Sequence, residues 1–192
     1  FDRNGAATGA ITRVMAQPVI PSSLELLDGT AVGLARDHGN LDLPADVGAM
    51  LLLEVDGQEA AMADAVAAVQ AAAGGPGLLA FDVADRDLSL EELWAARRAL
   101  SPALRTLAPK KINEDVVVPV SRLPELIAGL EALGAEHGIR IVNFGHAGNG
   151  NIHVNLLADH RDPGQMEAAR RCLDRVFDLV LALGGTLSGE HG

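Results

Sequence analysis

Two histidines flank a glycine-rich loop in residues 143–157, which read NFGHAGNGNIHVNLL. His146 precedes the loop, and His153 follows it in a stretch that alternates apolar and polar side chains, as a half-buried strand does. If the two flanking segments pair as a hairpin, both imidazoles converge on one point, with Asn155 one step further along the strand. This arrangement favours a metal or anion site. The alternative is a tight hairpin in which the histidines only hydrogen-bond to loop carbonyls.

A second polar cluster, SGEHG, occupies residues 188–192. Its carboxylate, Glu190, completes a three-ligand set with His146 and His153. Two imidazoles and one carboxylate suit a catalytic zinc or a similar divalent ion, with one position open to substrate. The sequence therefore predicts a metal site built from the loop and this cluster.

The surrounding pattern predicts the elements that hold these residues. Strands are expected at 49–55, 77–83, 111–118, 140–144 and 152–157, and helices at 6–15, 58–73, 89–100, 121–133 and 162–183. Ser22 and Glu25 have the spacing of a capping box, which predicts a further helix from 22 to about 32 with Asp28 in solvent. The elements together predict an α+β fold, a largely antiparallel sheet with helices packed mainly on one face.

Composition excludes several classes of protein. A formal net charge of -11 over 192 residues argues against nucleic acid or an anionic membrane as partner. The single cysteine, Cys172, excludes an internal disulfide and fits a reducing compartment, where we expect a packed, unreactive thiol. No signal peptide or membrane span is evident, so a cytoplasmic location is expected. There is no dinucleotide fingerprint, because the glycine-rich loop leads into a strand and not a helix.

Several segments, in order, resemble the C-terminal catalytic domain of the FAD-linked oxidases, the family of glycolate oxidase, D-lactate dehydrogenase and D-2-hydroxyglutarate dehydrogenase. The matching segments are PSSLELLD at 21–28, LWAAR at 93–97, KINEDVVVP at 111–119, GHAGNGNIHVNLL at 145–157 and SGEHG at 188–192. The resemblance implies that residues 1–192 form a substrate- and metal-binding domain. We expect an upstream FAD-binding domain and a short downstream tail to lie outside this chain, which would be inactive alone.

The resemblance also implies roles for single residues. His146, His153 and Glu190 would hold the metal, with zinc as the expected ion, and His191 beside them would act as general base because imidazole titrates near neutral pH. That role presumes a turn at 190–191, since neighbours in an extended segment point to opposite sides.

The substrate would be a small D-2-hydroxy acid that passes a hydride from its α-carbon to FAD. Arg97 of the LWAAR motif or Lys111 would pair the substrate carboxylate, and Asn155 would orient the substrate. Asn113 stands where the hydroxyglutarate branch of the family has a lysine, which argues against a dicarboxylate substrate.

Other partners and two rival functions stay open. The resemblance allows an electron-transfer partner protein and a homo-oligomer. One rival is a metal-dependent hydrolase, in which the same ligands activate a water molecule without flavin. The other is a non-catalytic domain whose histidines are structural.

Overall fold

The computed structural model describes residues 1–39, 41–84 and 90–189. One five-stranded antiparallel sheet, in the order β2-β1-β4-β5-β3, organises the fold and confirms the predicted α+β class. The strands are β1 (Ser23–Asp28), β2 (Ala49–Glu54), β3 (Lys110–Val117), β4 (Arg140–Gly145) and β5 (Asn151–Ala158). The helices are α1 (Asn4–Met15), α2 (Gly29–His38), α3 (Glu59–Ala73), α4 (Leu90–Ala103), α5 (Leu123–His137) and α6 (Pro163–Ala182).

The two faces of the sheet carry separate apolar cores. Four helices, α1, α3, α5 and α6, cover one face, where Leu26, Ile152 and Val154 are buried. The remaining two helices, α2 and α4, cover part of the other face, where Leu27 and Phe144 are buried. Helices therefore lie mainly on one face, as predicted. Glu25 of β1, Asp115 of β3 and the polar side chains of β5 fall on the second face, called here the α2/α4 face, because they alternate with apolar residues of the first core.

The helix predicted from residue 22 is wrong. Residues 23–28 form β1, which lies between β2 and β4, and α2 begins only at Gly29. The capping residue is Asp28, whose Oδ1 accepts a hydrogen bond of 2.9 Å from the Ala31 amide. The capping-box spacing of Ser22 and Glu25 was a local signal, and pairing with two neighbouring strands overrides it.

The strand predicted at 77–83 is also wrong, since residues 77–84 are irregular and pair with no strand among the described residues. Leu78 and Phe81 pack against the larger core, whereas Leu79 and Val83 are exposed. A short apolar run without alternation does not distinguish a strand from a loop that covers a core.

Two further features bear on the expectations from composition. Within the described ranges, no helix is both long and apolar enough to cross a membrane. Cys172 is completely buried in α6, as predicted for a packed thiol. Its burial, together with nearby Glu136, raises the pKa of the thiol to about 11, which keeps it protonated at neutral pH.

Candidate functional site

The β4–β5 hairpin brings the two loop histidines together, as the sequence predicts. The rings of His146 and His153 have centroids 5.4 Å apart and lie nearly perpendicular, at 81°. The turn between them depends on Gly150, which has a φ of +74° and lies so close to β3 that a Cβ atom would meet the Val118 carbonyl oxygen at 1.9 Å. Only glycine fits this position without displacing the backbone.

Each of the two histidines meets a buried carboxylate through its Nδ1 atom. Asp115 lies directly opposite His153 in the β3–β5 register, with its Oδ1 atom 3.1 Å from Nδ1. Glu25 on β1 pairs through Oε1 with Nδ1 of His146. The side chains of Asp115 and Glu25 are only 7% and 2% exposed. Because each Nδ1 already faces a carboxylate, Nε2 is the atom through which either ring would bind a metal.

Glu25 has a second partner on helix α4. Its Oε2 atom accepts a hydrogen bond of 2.7 Å from Nε of Arg97, whose side chain is 12% exposed. The guanidinium carbon of Arg97 also lies 4.7 Å from the centroid of the Phe144 ring, a cation–π contact. In the described part of the chain, neither Nη group of Arg97 has a hydrogen-bond partner. The guanidinium is thus fixed at one edge and can donate from the other.

Helix α4 is held over the sheet by two glutamates of neighbouring strands. Besides the Arg97–Glu25 pair, Nε1 of Trp94 donates to Oε1 of Glu54 on β2 at 2.6 Å. Glu25 and Glu54 are diagonal neighbours on the α2/α4 face, because Ser23 pairs with Glu54 across the two strands. The helix that carries Arg97 is therefore anchored at two points.

The other predicted substrate contacts lie further from the histidines. Lys111 shares the face of Asp115 but lies four residues along β3, about 13 Å away. Its Nζ donates to Oγ of Ser101, one helical turn from Arg97, at 2.9 Å. Partial burial and the nearby charge of Arg105 lower the pKa of Lys111.

Asn155 is buried completely, two residues beyond His153 on the same face of β5. Its Nδ2 donates to the carbonyls of Val142 at 3.0 Å and His153 at 3.1 Å. These bonds brace the hairpin around His153, and the orienting role toward substrate stays a prediction.

The predicted third ligand and general base, Glu190 and His191, lie outside the described residues. The chain just before them is anchored at the site, since the Gly189 amide donates to the Asp115 carbonyl at 2.7 Å. Thr186 also bridges to Val117 on β3. Among residues 1–39, 41–84 and 90–189, no three His, Cys, Asp or Glu side chains form a metal-binding group. His146 and His153 are the two predicted ligands that lie within the described residues, and their binding of a metal stays a prediction.

Glu25 and Asp115 are site residues that sequence reasoning missed. Both faces of β3 mix charged and apolar residues in the sequence, and the register of Asp115 against His153 comes only from strand pairing. Glu25 was hidden by its capping-box spacing. Its one usable signal was a charged residue within the apolar run LELL, because a buried charge requires a partner.

Two clefts open at opposite ends of β1. One, of about 220 Å³, borders Glu25 and His146 and is lined also by Ser22, Ser23 and Asn149. The other, of about 390 Å³, is lined by Asp28, Glu131 and Arg140. The first cleft borders the predicted metal ligand His146, whereas the second contains none of the predicted site residues.

Residues 1–192 match the family model described as FAD linked oxidases, C-terminal domain. The chain belongs to this family. The expected relationship is therefore confirmed.

Individual relatives place the match within longer proteins. The chain is 30% identical over 192 residues to glycolate oxidase subunit GlcD of Bacillus subtilis (strain 168), covering 100% of this chain and 41% of that protein. It is 31% identical over 149 residues to D-lactate dehydrogenase of Anaerostipes hadrus, covering 77% of this chain and 31% of that protein. The chain thus spans well under half the length of these curated relatives.

Solved structures share the fold. A p-cresol methylhydroxylase crystal structure superposes with a TM-score of 0.68 over 97% of this chain and 43% of that one, at 11% identity. At this identity the likeness concerns the fold alone.

Proposed function

We propose that this chain is the substrate- and metal-binding domain of an FAD-dependent D-2-hydroxyacid dehydrogenase or oxidase of the glycolate or D-lactate type. The observation that carries the proposal is the pair His146 and His153, 5.4 Å apart between ring centroids, each with a buried carboxylate on Nδ1. Membership of the FAD-linked oxidase family is the basis for proposing a flavin, and the names of the relatives are the basis for the proposed substrate class.

The described residues fit a divalent metal by the chemistry of their donors. A histidine that binds a metal through one ring nitrogen usually donates the other N–H to a carboxylate, which is the role available to Glu25 and Asp115. His146 and His153 would hold the ion, with Glu190 as third ligand, and zinc suits such a set. The Gly189 amide is hydrogen-bonded to the Asp115 carbonyl, and this contact supports the choice of Glu190, the next residue in the chain, as third ligand. When bound, such an ion lowers the pKa of a substrate hydroxyl.

The chain's own side chains would bind and orient the substrate. Arg97 would receive the substrate carboxylate through its Nη groups, since Glu25 and Phe144 fix the other parts of the guanidinium. His191 would take the proton from the substrate hydroxyl. Asn155 and Lys111 would offer further polar contacts to the substrate. FAD, which a separate domain would mainly bind, would supply the hydride-accepting chemistry.

The substrate is proposed to be a small monocarboxylate. Asn113, which pairs with Asn155 between β3 and β5, offers no positive charge for a second carboxylate. The cleft of about 220 Å³ beside His146 is large enough for an acid of two or three carbons. An electron-transfer partner protein, self-association and a cytoplasmic location belong to the same proposal.

The direct test is anaerobic reduction of the flavin in the full-length protein. Mixing with glycolate or D-lactate is expected to bleach the flavin absorbance, and prior removal of metal with a chelator should abolish bleaching. Malonate, which has carboxylates but no hydroxyl, is the control and should leave the flavin oxidised. An unchanged flavin spectrum with every 2-hydroxy acid would contradict the proposal, as would flavin-independent hydrolysis of an ester.

A further inference from the structure

We propose that Glu25 is a positioning residue that sets the tautomer of His146 with one carboxylate oxygen and the orientation of Arg97 with the other. The inference rests on the proposed function, because it assigns His146 to a metal and Arg97 to a substrate carboxylate. It adds that the two groups depend on one buried carboxylate, which positions both the metal-binding nitrogen of His146 and the anion-binding guanidinium of Arg97.

The geometry assigns a different oxygen of Glu25 to each task. Oε2 accepts from Nε of Arg97 at 2.7 Å, while Oε1 faces Nδ1 of His146. An ion-paired carboxylate only accepts hydrogen bonds, so a neutral imidazole at this position carries its proton on Nδ1 and its lone pair on Nε2. That tautomer is the one able to bind a metal through Nε2.

Burial makes this arrangement difficult to replace. The Glu25 side chain is 2% exposed, so a change in the carboxylate removes a buried charge that pairs with Arg97 and His146. Arg97 is further fixed by its contact with Phe144, which itself packs edge-on against His153 with ring centroids 5.9 Å apart. The two histidines and the arginine therefore share one supported cluster, with Glu25 between Arg97 and His146.

Glu25→Gln separates the two roles of the carboxylate. An amide offers one acceptor oxygen and one NH₂ group, so it cannot accept from both partners. The oxygen is expected to stay with Arg97, because a hydrogen bond to a guanidinium is stronger than one to a neutral imidazole. The NH₂ group then faces Nδ1 of His146, which drives the imidazole proton to Nε2 and blocks the metal-binding nitrogen.

Glu25→Asp is the second variant, chosen because it keeps the charge and so avoids an unpaired buried guanidinium. The shorter carboxylate cannot span both partners and is expected to stay with the permanent cation. His146 loses its carboxylate, whereas Arg97 keeps one. Metal affinity should therefore fall while the KM for a hydroxy acid, measured with saturating metal, changes less than about threefold.

The experiment measures zinc affinity by competition with a chromophoric chelator, in the full-length flavoprotein. Both Glu25 variants are expected to weaken zinc binding by about 10- to 100-fold. Glu54→Gln is the matched control, since Glu54 also bonds an α4 side chain, Trp94, and should leave zinc affinity within about threefold. Nitrogen-15 spectra of the metal-free protein supply a second readout, in which Glu25→Gln moves the His146 proton from Nδ1 to Nε2.

The outcomes separate this inference from the proposed function. Folded Glu25 variants that keep parental zinc affinity would overturn the inference alone, as would an equal loss in Glu54→Gln. If Glu25→Gln does not fold, Glu25→Asp decides by the same threshold. A parent protein that binds no zinc would overturn the proposed function and the inference with it.

Discussion

Asp115 on β3 faces His153 on β5 directly across the antiparallel pair, with Oδ1 of the aspartate 3.1 Å from Nδ1 of the histidine. The same strand segment also holds residue Gly189, because the Asp115 carbonyl accepts a hydrogen bond from the Gly189 amide. Asp115 thus contacts the proposed metal ligand His153 with its side chain and holds Gly189 with its backbone. The edge strand β3 is for this reason part of the site and not only of the sheet.

Arg97→Lys is expected to raise the KM of a 2-hydroxy acid by about 10- to 100-fold. Lysine cannot reproduce the planar fork that bonds Glu25 at one edge, stacks on Phe144 and donates from its other edge. Steady-state kinetics of the full-length enzyme provide the measurement. Arg98→Lys is the control, since Arg98 is an exposed neighbour on the same helix. Equal KM values for Arg97→Lys and the parent would remove Arg97 from substrate binding.

Gly150→Ala should destabilise the protein much more than Gly138→Ala. Both glycines have positive φ angles, +74° and +63°, but a Cβ at Gly138 meets nothing within 4 Å. The Gly138 variant is expected to lose only about 1–2 kcal/mol from left-handed strain. At Gly150 the added carbon meets the Val118 carbonyl, so a further loss of about 1–3 kcal/mol is expected. Urea unfolding of both variants makes the comparison, and equal losses would show that β3 and the loop do not approach as described.

The sequence predicted the hairpin but not the support around it. Strict alternation after the glycine-rich loop was enough to pair His146 with His153, because local periodicity fixes which face a side chain takes. Asp115 and Glu25 reach the same histidines from strands 38 and 121 residues away in the chain. Register between distant strands is decided by tertiary packing, which no local pattern in this chain records.

Residues 22–28 also show that tertiary packing can override a local sequence pattern. Ser22 and Glu25 satisfy a helix-capping rule, yet the strand pairs on both sides and buries Leu24 and Leu26 in the core. A capping contribution of about 1 kcal/mol cannot compete with burial of two leucines, worth about 2 kcal/mol or more each. The motif was also expected to leave Asp28 in solvent, but Asp28 is buried as the cap of α2.

Asp28 should make stability fall as pH rises from about 4 to about 6. Burial raises its pKa from 3.8 to about 6, against the lowering effect of hydrogen bonds from Ala31 and Asn143. The folded state therefore holds a proton that the unfolded state releases within this interval, and the free energy of unfolding decreases by up to about 3 kcal/mol. The effect is complete by about pH 7, one unit above the pKa of Asp28 in the folded state.

Asp28→Asn should remove this part of the pH dependence. Urea unfolding of parent and variant at pH 4, 5, 6 and 7 isolates the contribution, because other carboxylates titrate equally in both proteins. Asp159→Asn is the control, since its exposed ion pair with Arg161 lowers the pKa of Asp159 to about 2. Its effect falls below pH 4, outside the interval. A slope in Asp28→Asn identical to the parent would contradict the assignment.

Bound zinc per protein, measured by elemental analysis, tests most directly whether the hairpin histidines bind a divalent metal. The full-length parent is expected to hold about one equivalent, and His153→Ala almost none. His160→Ala, at an exposed histidine just beyond β5, should keep the parental value. Zinc retained equally by all three proteins, or absent from the parent, would contradict the site described here.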